Sequence, residues 1–105
     1  MPPRNTLAVA GLALMLGGCA AGFKIGAEEM RKDPAFKAQM VRDCVRDTER
    51  DSLATRQALA MIVRTPLARA PRVFCERFMD AVAEGRLNWG DMDDGAKLVR
   101  VLGRR

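Results

Sequence analysis

The sequence predicts an all-α fold, a small bundle of three or four helices stapled by one disulfide. Three observations lead there. Strand formers are thin, with no Tyr and few Thr, while Ala, Leu, Met, Arg and Glu are abundant. Apolar residues recur at helical spacing between Pro and Gly punctuation. Two cysteines, Cys44 and Cys75, fall on the apolar sides of two different helical segments. At 105 residues and 49% apolar content the chain is bounded to one domain and is not compositionally disordered. The expected organisation is an apolar N-terminal segment over residues 1–18, a tether over 19–32 and a helical domain over 33–105.

Each element has its own reason. Ala20–Lys32 holds two Gly and no sustained periodicity, which reads as a flexible tether. Asp33 and Pro34 then fit an N-cap and a first helical position. A helix follows to about Arg50, with Phe36, Met40, Val41, Cys44 and Val45 on one half of the wheel. The segment from Leu53 to Arg64 is apolar almost all round, which predicts the central and most buried helix. Asp51 and Ser52 argue for a break between these two segments; the absence of Gly and Pro there allows one long helix instead. Thr65-Pro66 ends the second segment, and "TPLARAP" is a connector with room for one helical turn. Pro71 opens the next helix and Gly85 closes it. Its inner face carries Phe74, Cys75, Phe78, Met79, Ala81 and Val82; its outer face carries Arg72, Glu76, Arg77, Asp80 and Glu84. The last helix is expected from an Asn88 cap, with Asp91 in capping-box position and a stripe of Trp89, Met92, Ala96, Val99 and Leu102. Cys44 and Cys75, facing inward from two packed helices, are expected to form the bridge; two buried free thiols are the other reading.

The N-terminus carries an address. Arg4 precedes ten uncharged apolar residues, Leu7–Leu16, and then Gly17, Gly18 and Cys19. This is the plan of a secretory signal, and the apolar core is shorter than the roughly 20 residues needed to span a bilayer. "LGGC" at Leu16–Cys19 resembles the lipobox of bacterial lipoproteins. The resemblance implies lipid attachment to the Cys19 thiol, cleavage before it, and a chain held on the cell envelope facing the periplasm. Ala20, rather than Asp, follows Cys19, which by the same resemblance implies the outer membrane rather than the inner. An uncleaved anchor over Leu7–Phe23 and an ordinary signal peptide cut elsewhere are the alternatives.

The inventory excludes much chemistry. With no His, no Tyr and a single serine, Ser52, a Ser–His or Cys–His nucleophilic site cannot be built. No metal-ligating Cys or His tract exists. No catalytic residue, cofactor, metal or small-molecule substrate is therefore expected, and the role is expected to be non-enzymatic. One of the 18 basic residues, Arg4, lies in the signal segment, which leaves 17 against 13 acids. Mixed charge along every helix reads as a solvated surface, and export opposes a nucleic-acid partner. The C-terminal "KLVRVLGRR" reads as an ordinary helix end rather than a membrane-surface segment. Met30, Met40, Met61, Met79 and Met92 read as packing residues rather than a binding surface. The expected partners are the membrane, through the N-terminal lipid, and a protein or cell-wall component. A small stress chaperone is the alternative, since the layout is similar to that of small periplasmic acid-stress chaperones, which are all-helical with one disulfide.

Overall fold

The computed structural model describes residues 19–104; the expected signal peptide, residues 1–18, and Arg105 lie outside them. The described chain is all-helical. Helix α1 covers residues 19–32, α2 Pro34–Glu49, α3 Leu53–Val63, α4 Ala70–Ala83 and α5 Gly95–Leu102. Short 3-10 turns occupy Leu67–Arg69 and Trp89–Asp93.

Local chemistry sets these boundaries. The Asp33 carboxylate accepts from the Ala35 and Phe36 amides at 3.0 and 3.2 Å, starting α2 behind Pro34. Residues 34–64 form two helices, because the Ser52 hydroxyl accepts from the Thr55 amide at 3.2 Å and starts α3 afresh. Gly85, at φ +75°, closes α4. Its amide donates to the Val82 carbonyl at 3.1 Å and the Arg86 amide to the Ala81 carbonyl at 2.8 Å, the paired bonds of a Schellman cap. That reversal turns Leu87 back into the core, where it is 1% exposed.

The core centres on α4, which packs against α2, α3 and α5. Ala81, Val82 and Ala83 meet Met30 of α1, Val63 of α3, Leu102 of α5 and Leu87. Cys44 and Cys75 form the expected disulfide between α2 and α4, with Cα atoms 5.8 Å apart. Lys37 of α2 pairs with Asp80 of α4 along the same interface.

Four expectations need correction. Residues 19–32 are helical rather than a flexible tether: Met30 is buried and Phe23 and Ala27 pack on the core, so tertiary contact outweighs the helix cost of Gly22 and Gly26. The most buried helix is α4, not α3. Only Val63 of α3 is buried and Met61 is 80% exposed, because α3 lies at the edge of the bundle and its alanines give it apolarity without bulk. The final helix is not continuous from Asn88. Asp94 accepts from the Lys97 amide at 3.0 Å and starts α5 at Gly95, shifting its phase. Leu98, Val101 and Leu102 therefore face the core, and Val99 and Trp89 are exposed. Finally, Arg77 is not an outer-face charge. Its Nη1 donates to the Val63 and Leu102 carbonyls, both at 2.8 Å, tying the C-terminal ends of α3 and α5 to α4.

Candidate functional site

The three cysteines separate into two roles. Cys44 and Cys75 are joined, and Cys75 is fully buried. Thr48, one turn beyond Cys44, is buried over the bridge with its hydroxyl 3.6 Å from the Cys75 sulfur. Sequence patterning placed no weight on Thr48, since a lone Thr on a helix carries no periodic signal. Cys19 is the one free thiol of the chain and is exposed. It lies at the first described turn of α1, directly before Ala20.

Ala20 is the first residue of a groove. One wall is a single stripe of α1: Ala20, Phe23, Lys24, Ala27 and Arg31, spaced at helical intervals. The opposite wall is Val82 of α4 with Leu87 and Trp89 of the corner that follows the Gly85 cap. The Phe23 and Trp89 rings meet edge to face with centroids 5.9 Å apart. The cavity is half open and measures about 460 Å³, within the range of small-molecule clefts. Among the described residues no carboxylate lines it. Lys24 and Arg31 are exposed and make no ion pair among the described residues.

Asp91 fixes the corner that carries Leu87 and Trp89. Its carboxylate accepts from the Asn88 amide at 2.9 Å, as in the expected capping box, and from the Lys97 ammonium at 2.8 Å, an added cation. The bond from Lys97, then that from the Asn88 amide, holds the Asp91 carboxyl below the usual carboxylate range against the opposing effect of burial. Trp89 is thus displayed, 49% exposed, from a braced 3-10 turn rather than from an α-helix face.

This groove was missed in the sequence. Its α1 stripe is interrupted by Gly22 and Gly26, and its other wall comes from residues more than fifty positions away. The remaining signals resolve as packing, except at Met61. Met30 is buried, Met40, Met79 and Met92 pack against the core, and Met61 is exposed. Leu98, Val101 and Leu102 of the basic C-terminal segment serve the core. Among the described residues no helix is long and apolar enough to cross a membrane.

No protein-family model, no curated protein and no solved structure matches the chain.

Proposed function

We propose that this chain is a non-enzymatic lipoprotein of the bacterial cell envelope, held by lipid on Cys19 with its helical domain facing the periplasm, where it binds an envelope component or a protein partner. The observation that carries the reading is the isolation of Cys19. The Cys44–Cys75 bridge takes the other two thiols, and Cys19 alone stays free and exposed, directly behind "LGG". A disulfide in so small a chain also suits an oxidising compartment. Ala20 after Cys19 favours the outer membrane by resemblance to lipoprotein sorting signals. Cys19→Ser is expected to abolish metabolic lipid labelling and to leave an unprocessed precursor; labelling and processing equal to wild type would overturn the anchor.

The exposed apolar side chains Leu53 and Met61 on α3, with Leu67 beyond it, support a second reading as a stress chaperone. A holdase would bind an apolar dye and suppress client aggregation at some pH between about 2 and about 7, as carboxylates lose their charge. Absence of both across that range would exclude it.

A further inference from the structure

We infer that the groove beside Cys19 is a docking site for an anionic phospholipid of the membrane that bears the anchor: an acyl chain enters between α1 and the Leu87–Trp89 corner, and the headgroup phosphate meets Lys24 and Arg31. The inference rests on the envelope-lipoprotein reading for its source of lipid.

Three observations select this occupant. The walls are apolar, from Phe23, Ala27, Val82, Leu87 and Trp89, so a groove of about 460 Å³ gains by excluding water. Lys24 and Arg31 share the lining stripe of α1, two turns and roughly 10 Å apart, with no acid in the lining and no ion pair among the described residues. An apolar peptide, including the chain's own Leu7–Leu16, would leave both cations unmatched, whereas an anionic headgroup matches them. The third observation is position. Ala20 both lines the groove and follows Cys19, so lipid on Cys19 brings the groove close to the bilayer. Trp89, a half-exposed residue of the groove wall, is the residue type that settles at membrane–water boundaries.

Trp89 is the only tryptophan and there is no tyrosine, so intrinsic emission at long wavelength reports on this groove alone. The full chain, produced in bacteria, is reconstituted into vesicles of phosphatidylcholine and phosphatidylglycerol, with dibrominated acyl chains carried by only one of the two lipids at matched bromine content. Trp89 is expected to be quenched more when phosphatidylglycerol carries the bromine. Lys24→Gln/Arg31→Gln, both surface changes, is expected to weaken the phosphatidylglycerol preference about 30-fold, at about fivefold per basic residue near an anionic surface. Ala27→Phe, which fills the groove from α1, is expected to remove the preferential quenching with the helical circular dichroism unchanged. Equal quenching by the two lipids, or a preference that survives Lys24→Gln/Arg31→Gln, would overturn the inference. Flotation of the same vesicles reads the anchor separately. Loss of flotation by Cys19→Ser in a chain without residues 1–18 supports the anchor, and flotation equal to wild type overturns it while the quenching comparison still decides the groove.

Discussion

The middle of α4 and the corner beyond its C-terminal end are fastened in opposite ways. At the middle, directional bonds close the structure: Cys75 is bridged to Cys44 under Thr48, and Arg77 caps the carbonyl ends of α3 and α5. Beyond its end, α1 and the Leu87–Trp89 corner meet through apolar contact and leave a groove open between them. The first region has satisfied its polar groups and offers a partner little. The second keeps apolar surface exposed, with two cations that make no ion pair among the described residues. Stability and docking are thus placed in different parts of a small domain, and substitutions should separate them.

The largest effect belongs to the bridge. Cys44→Ala/Cys75→Ala removes a crosslink across 31 positions and should cost about 3–4 kcal/mol in urea unfolding. For a domain of this size that is a large part of the net stability, so the contrast fails if the loss is below about 1 kcal/mol. Arg77→Met keeps the stem but leaves two helix-terminal carbonyls without their charged donor. A loss of about 2 kcal/mol is expected, with an unchanged denaturant slope. An outer-face arginine without those bonds would show less than about 0.5 kcal/mol.

Asp91 gives a pH-dependent term. Its folded carboxyl titrates below the unfolded value, so its contribution is fully present above about pH 4 and is lost as pH falls through the folded value. Asp91→Asn should therefore lower stability at neutral pH, and the gap to wild type should shrink on acidification below about pH 4. A gap that is constant with pH would contradict the bonds from Lys97 and Asn88. Arg64 caps α3 in the left-handed region at φ 56°, where a side chain is strained. Arg64→Gly should raise stability by about 0.5 kcal/mol in the same urea experiment. Smallest of all, Lys24→Gln/Arg31→Gln should change stability by less than about 0.5 kcal/mol, since neither residue has an ion pair among the described residues.

The fastened region was largely legible in the sequence, and the open one was not. Asp33-Pro34, Pro71 and Gly85 mark helix ends by their own backbone chemistry, and the inward phases of Cys44 and Cys75 agree with the bridge. Arg77 escaped because its acceptors are main-chain carbonyls, which every residue has and no pattern reveals. The edge position of α3 escaped because an all-apolar helix rich in Ala looks central while burying little. Helix α1 and the groove escaped for a related reason. Two glycines blur a stripe that becomes regular only when Met30, Phe23 and Ala27 find their places on α4 and the Leu87 corner.

The lipid proposed for the open region comes from a membrane at the start of α1, and that placement depends on Cys19. The most direct measurement is mass spectrometry of the N-terminal peptide of the chain recovered from bacterial membranes. The expected result is a mature chain that begins at Cys19 and carries the added mass of acyl-bearing lipid on that residue. A chain that begins at Met1, or one with an unmodified Cys19 thiol, would contradict the anchor.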